Sequence, residues 1–217
     1  MQSPFIQTFD QLPDTLPIFP LEGAVVMPGA QLPLNIFEPR YLNMIEDALA
    51  SHHLIGMIQP EARDRAEDDA VHTTGCAGRI SSYQETYDGR IEIVLSGVCR
   101  FDIQEELPTT RGYRLVIPDW SRFELDYDYP HFEKSTQQER FFDRLEGYMP
   151  AQELSIDSGV IHEIPLARLM NILTTLLPLH HADKQAIIEA VSYESRYNLL
   201  VSQFERVGSG SPSHLRH

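Results

Sequence analysis

Leu16-Pro17-Ile18-Phe19-Pro20-Leu21, Gly23-Ala24-Val25-Val26-Met27-Pro28-Gly29 and Leu32-Pro33-Leu34-Asn35-Ile36-Phe37 follow one another in a single stretch of chain. Short runs of Leu, Val, Ile and Phe closed off by Pro and Gly are the grammar of β structure. A proline has no N–H to give to a ladder, so strands carrying this many belong at edges and sharp corners. A barrel or a folded-over sheet suits them better than a flat one.

Outward from that stretch, Pro39 is suited to a first helical turn, and Tyr41, Leu42, Met44, Ile45, Ala48 and Leu49 follow it at helical spacing. One helix therefore interrupts the strands. Leu54-Ile55-Gly56-Met57-Ile58 resumes the β pattern, and Glu61 to Asp69, dense in acids around Arg63 and Arg65, reads as a solvated loop. Asp88-Gly89 marks a hairpin, because a two-residue turn needs positive φ. With Tyr87 facing Arg90, residues Ile80, Ile91, Ile93, Leu95, Cys99 and Phe101 share one face, and Arg79, Glu85, Arg90, Glu92 and Arg100 share the other. In that register Cys99 lies opposite Gly78 and only diagonal to Cys76, too far for an unstrained disulfide. Tyr113 to Ile117 supplies a further strand, and Asp126-Tyr127-Asp128-Tyr129-Pro130 reads as a linker.

Beyond Pro130 the period becomes helical. Ser135 can cap a helix with Gln138 three residues on, and Phe141, Phe142, Leu145, Tyr148 and Met149 form its apolar stripe. Pro165 opens a second helix through Leu166, Leu169, Met170, Leu173, Leu176 and Leu177, which Pro178 stops. Asp183 opens a third through Ile187, Ile188 and Val191, and Tyr197, Leu200, Val201 and Phe204 mark a last one. The predicted organisation is an α+β fold: an arm over 1–14, a β unit over 15–127, a helical unit over 128–207 and a disordered Gly-Ser-Pro tail over 208–217.

With 217 residues, 42% of them apolar and 23% charged, the chain can bury a full core. That excludes a stapled miniprotein and a disordered chain. Lys and Arg number 17 against 32 Asp and Glu, a net charge of −15 that repels a phosphate backbone. Most of that acidity, a net −11, falls in residues 1–127. No apolar run approaches the roughly 18 residues of a membrane span, and Met1 is followed by polar Gln2 and Ser3, so a cytoplasmic protein with no membrane partner is expected. Cys76 and Cys99 have no C-x-x-C spacing and read as buried free thiols.

Catalytic patterns are missing. The chain has two lysines, Lys134 after Glu133 and Lys184 after Asp183, so neither a P-loop Gly-Lys nor a desolvated Ser-Lys dyad is predicted. H-E-x-x-H, G-x-S-x-G and G-x-G-x-x-G do not occur. His52-His53 and His180-His181 are adjacent pairs, which is not ligand spacing on a strand or a helix, and no metal or cofactor is expected. Glu105-Glu106 and Asp68-Asp69 lie among other acids and read as solvated charge rather than as a general acid and base.

The opening run through Leu16-Pro17-Ile18-Phe19-Pro20-Leu21, Val26-Met27-Pro28-Gly29 and Leu32-Pro33-Leu34-Asn35-Ile36-Phe37-Glu38-Pro39-Arg40-Tyr41 resembles the N-terminal substrate-binding domain of the Lon protease family. Ile55-Gly56-Met57, Gly75-Cys76-Ala77-Gly78-Arg79-Ile80, Gly89-Arg90-Ile91 and Leu95-Ser96-Gly97-Val98-Cys99-Arg100-Phe101 follow in that family's order. Lys184-Gln185-Ala186-Ile187-Ile188-Glu189-Ala190 and Ser195-Arg196-Tyr197-Asn198-Leu199-Leu200 are similar to its helical part, and the resemblance covers about residues 15–206. It implies a PUA-like β pseudobarrel followed by a helical bundle. A full protease would continue into ATPase and Ser-Lys protease modules, which this chain does not reach, so the resemblance is to stand-alone bacterial Lon-N-terminal-like proteins without peptidase activity.

The implied function is recognition of unfolded or extended polypeptide, as an adaptor or holdase-like module in protein quality control, with a separate protease as a further expected partner. Met27, Pro28, Phe37, Arg40 and Tyr41 are the candidate peptide-binding surface, holding a segment by apolar contact or strand addition. The bland alternative places Phe37 and Tyr41 in the core and pairs Arg40 with Glu38. PUA-like barrels also bind RNA, for which Arg79, Arg90 and Arg100 are the alternative face, and a small-ligand site in the barrel mouth is a third reading.

Overall fold

Ile18 is the pivot on which the sheet closes. The structure, a computed structural model, describes residues 8–61, 70–127, 136–152 and 158–209. In strand β1 (Leu16–Pro20), Leu16 to Ile18 pair antiparallel with β6 (Arg114–Asp119), and Ile18 to Pro20 pair parallel with β3 (Leu54–Ile58). Pro17 therefore lies where β1 is laddered to β6 alone, and Pro20 where it is laddered to β3 alone. Pro118 faces Ile103 at the end of β6 that β1 does not reach, and Pro33 sits in β2 (Gln31–Ile36), which among the described residues pairs with β5 (Ile91–Leu107) alone. Each of these prolines costs no ladder bond that a second neighbour would need.

Antiparallel pairing carries β3 to β4 (Thr74–Glu85) and β4 to β5. Strand β5 pairs with β2 through its first half and with β6 through its second, which closes β1, β3, β4, β5 and β6 into a ring with β2 attached outside. This is the pseudobarrel. Bulges after Ala77, after Ile80 and after Ile103 bend the long strands around it. Gly97 marks the bend of β5: it exchanges bonds with Gly29 and Ala30, and a Cβ there would stand 2.0 Å from the Met27 carbonyl oxygen.

All five ring strands contribute to one buried cluster, Leu16, Ile18, Leu54, Ile58, Ala77, Phe101 and Val116. Burying each of the larger side chains stabilises the fold by ~1.5–3 kcal/mol. The ring interior is filled with side chains. Helix α1 (Pro39–Leu49), with Pro39 in its first turn, lies on the opposite face, where Tyr41, Met44, Ile45 and Ala48 meet Phe19, Val26, Met27, Ile55, Met57, Ile93 and Leu95.

The remaining helices are α2 (Thr136–Ala151), α3 (Ser158–Ile161), α4 (Leu166–Leu176), α5 (His181–Glu189) and α6 (Tyr193–Ser209). Phe141, Phe142, Leu145, Tyr148, Leu169, Met170, Leu173, Tyr197, Leu200 and Phe204 form their core, as the helical spacing predicts. Several segments differ from expectation. The expected arm over 1–14 is structured from Thr8: a short 3-10 turn spans Phe9–Gln11, and the Trp120 indole donates to the Pro13 carbonyl at 3.2 Å. The linker expected from Asp126 begins inside a 3-10 segment, Ser121–Tyr127, whose Phe123 and Asp126 are buried. Helix α6 runs to Ser209, into the expected tail. The Ser135 cap, the acidic loop beyond Glu61 and the tail beyond Ser209 lie outside the described residues.

Candidate functional site

The sheet face that carries the α1 core continues past the helix. In β5, Ile93 stands opposite Tyr83 of β4 and Leu34 of β2, and Ile91 stands opposite Glu85 and Ile36. Directly paired residues share a face, so Tyr83 and Glu85 extend the apolar face outward to the hairpin tip. Helix α1 buries Ile93 but leaves Ile91 half-buried and Tyr83 55% exposed. Between helix and hairpin lies a groove of about 370 Å³, with Leu42, Ile45, Leu49 and Ile91 as its apolar lining and Glu46, Tyr83, Glu85 and Arg90 around it. Phe37, 62% exposed at the end of β2, stands 5.7 Å beneath the Arg90 guanidinium, and Tyr87 is fully exposed at the tip. Contiguous apolar surface rimmed by polar groups is the form that protein-binding sites take.

The turn that sets this arrangement is longer than the sequence suggests. The Thr86 amide donates to the Arg90 carbonyl and the Gly89 amide to the Thr86 carbonyl, at 2.9 and 3.1 Å, so the loop is the three residues Tyr87-Asp88-Gly89. Gly89 takes φ +80°, the left-handed conformation such loops place last. The Thr86 hydroxyl, and after it Arg90, hold the Asp88 carboxyl below its usual range. The expected two-residue turn is therefore incorrect, and its register is shifted. Glu85 faces Ile91 on the groove side instead of joining the arginines, and Cys99 faces Ala77 instead of Gly78.

The five residues expected as one surface separate. Met27 and Pro28 are buried, with the Met27 amide donating to Thr175 Oγ1 at 3.1 Å and the Pro28 carbonyl accepting from Asn171 Nδ2 at 3.0 Å. Tyr41 is buried with its ring centroid 4.2 Å from that of Phe19. Those three are spent on packing, and Phe37 and Arg40 are the exposed members. Arg40 pairs with Glu38 at 2.9 Å. With Tyr41 it lines a second, smaller cleft of about 220 Å³ shared with Tyr113 and Arg114. There desolvation, with the Asp47 hydrogen bond, pushes the Tyr113 phenol up to about 12.

The alternative basic face does not assemble. Arg100 is 1% exposed and forms a bidentate pair with Asp126, Nη2 to Oδ1 at 2.7 Å and Nε to Oδ2 at 2.9 Å. Its Nη1 donates to the carbonyls of Ile188 and Ala190, and the Phe123 ring lies 4.4 Å from the guanidinium. Arg90 is held by Asp88 at the hairpin tip. Arg79 lies back along β4, roughly 20 Å of strand from the turn.

Arg100 belongs to a polar seam between barrel and helices. Gln59 donates to the His181 carbonyl and to Gln185, whose own amide donates to the Thr74 carbonyl. Lys184 is buried here, its Nζ donating to the Gly23 carbonyl at 3.0 Å, and burial lowers its amine pKa. The Cys76 and Cys99 thiols are both buried and free, and burial pushes both up, so they stand as neutral thiols. Among the described residues no cluster of His, Cys, Asp or Glu is placed to hold a metal ion.

Sequence reasoning missed Leu42, Leu49, Tyr83 and Ile91 as a site. The two leucines fall on the same helical stripe as the buried residues of α1, and the limit of coverage follows from how far the hairpin outruns the helix. The apolar spacing alone contains no signal for it.

The family model described as "ATP-dependent protease La (LON) substrate-binding domain" matches residues 15–206. Among curated proteins, a Lon protease of Flavobacterium johnsoniae is 34% identical over 99 residues, 44% of this chain and 12% of that protein. Lon protease 2 of Myxococcus xanthus is 22% identical over 214 residues, 95% of this chain and 25% of that protein. The chain thus spans a quarter or less of these relatives' length. Among solved structures, a Lon N-terminal domain protein from Xanthomonas campestris superposes with a TM-score of 0.60 at 22% identity, covering 87% of this chain and 97% of that one. The N-terminal domain of the Mycobacterium avium complex Lon protease gives 0.60 at 15% identity, covering 88% and 98%. At these identities the likeness is one of fold.

Proposed function

Since the chain belongs to the family of the ATP-dependent protease La (LON) substrate-binding domain, we propose that it is a non-catalytic recognition module that holds extended polypeptide in the groove between α1 and the β4–β5 hairpin. The observation that supports this is the continuity of the core face into solvent: Ile93 is covered, Ile91 half-covered, and Tyr83 stands exposed in an apolar trough, with Phe37 exposed beneath Arg90 at its edge. A segment that lays an apolar side chain there completes a face that α1 leaves unfinished. The module acts as an adaptor or holdase in protein quality control, passing its segment to a separate protease. Two free thiols suit a reducing cytoplasm.

The test is fluorescence anisotropy of a labelled, permanently unfolded polypeptide titrated with the wild-type chain and with the Phe37→Ser, Tyr83→Ser double variant, beside a folded control. Saturable binding to the unfolded chain alone, weakened about tenfold or more in the variant at unchanged thermal stability, is the expected result, since truncated hot-spot aromatics cost that much. No binding, or equal binding by the variant, would overturn the assignment of this surface.

A further inference from the structure

The groove carries an anion on each wall. On the helix side Glu46 and Asp47 share one guanidinium, with Arg111 Nη2 2.5 Å from Glu46 Oε2 and Arg111 Nε 2.9 Å from Asp47 Oδ2. That wall keeps one negative charge in excess. On the hairpin side Arg90 is committed to Asp88 at 2.9 Å, while Glu85 is exposed with no ion-pair partner among the described residues. Between them lie Leu42, Leu49, Ile91 and the exposed ring of Tyr83.

We propose that this groove selects segments in which one aromatic or long aliphatic side chain is flanked by Lys or Arg on both sides. This rests on the polypeptide-binding reading and adds its specificity. The apolar side chain seats between helix and hairpin, one flanking cation meets Glu46 and the other meets Glu85, and a guanidinium or ammonium over Tyr83 gains a further contact with the ring face. An acid-flanked segment with the same anchor meets like charge on both walls. The net charge of −15 gives every cationic chain some attraction at long range, so only the two wall carboxylates separate a local preference from a global one.

The experiment compares two labelled peptides of equal length with one central Phe, one flanked by Lys and Arg and the other by Glu, against the wild type, Glu85→Gln and the Glu46→Gln, Glu85→Gln double variant. Thermal unfolding of each variant establishes that it is folded. The basic-flanked peptide should bind the wild type about tenfold more tightly at low salt, as two rim ion pairs allow. That advantage should shrink in high salt and fall to within about twofold in the double variant, since wall charges are then gone. Equal binding of the two peptides, or a preference that survives intact in the double variant, would overturn the selectivity and leave polypeptide binding standing. Failure of both peptides to bind the wild type would overturn both readings.

Discussion

Arg100 shows what a single side chain does for this fold. Its guanidinium spans β5, the Ser121–Tyr127 segment and the end of α5, satisfying Asp126 and two backbone carbonyls in one planar fork. Arg100→Met leaves the Asp126 carboxylate buried without its partner, and a broken buried pair costs ~3–5 kcal/mol. The urea midpoint should fall accordingly, and adding Asp126→Leu should restore a large part of the loss. A midpoint within error of wild type for Arg100→Met would contradict this role. The sequence could not show it: Arg100 alternates with apolar neighbours as a solvent-facing strand residue would, and its partner lies in a run of Asp and Tyr that reads as a linker. Lys184 escaped for a like reason, because its acceptors are the backbone carbonyls of Gly23 and Thr175, and backbone acceptors leave no mark in composition.

At the scale of elements, the prolines of the opening stretch were the most legible feature. Pro17, Pro20 and Pro33 imply one-sided pairing, and one-sided pairing is what each of them has. The hairpin was half-legible. Asp88-Gly89 locates the turn, but whether two or three residues form the loop depends on a single left-handed glycine, and the difference moves Glu85 to the other face. Glycines also give a paired prediction. Gly97→Ala would force a Cβ against the Met27 carbonyl where β5 bends and should destabilise by more than the ~1–3 kcal/mol of ordinary overpacking, because the obstacle is backbone. Gly147→Ala in α2 meets nothing within 4 Å and should stabilise by about 0.5–1 kcal/mol. Thermal unfolding of the two variants should move in opposite directions, and a Gly97→Ala protein as stable as wild type would contradict the described bend.

At the scale of the whole molecule, desolvation of phenols sets the alkaline limit. Burial raises Tyr113 to about 12 and pushes up Tyr127, Tyr148, Tyr193 and Tyr197 as well. In the unfolded chain the same phenols ionise near pH ~10, so above that pH the folded state holds more protons. Stability is therefore full below about pH 10 and falls as pH rises through the folded values. Lys184 acts in the opposite sense, since burial lowers its amine and stability rises with pH between its folded value and the ordinary ~10.4. One amine is outweighed by five phenols once the pH passes that range. Urea unfolding from pH 8 to 12 should show a midpoint that falls once the pH passes about 10, with phenolate absorbance appearing on unfolding, and a midpoint that stays flat above that pH would contradict the burial of these side chains.

In the proposed function, polypeptide is held where the core face runs out from under α1. Backbone and methyl NMR shifts of the labelled protein, recorded as an unfolded polypeptide is titrated in, test it most directly. Perturbations should concentrate at Phe37, Leu42, Leu49, Tyr83, Glu85 and Ile91. Perturbations confined to the cleft of Arg40 and Arg114, or to the seam around Lys184, would contradict it.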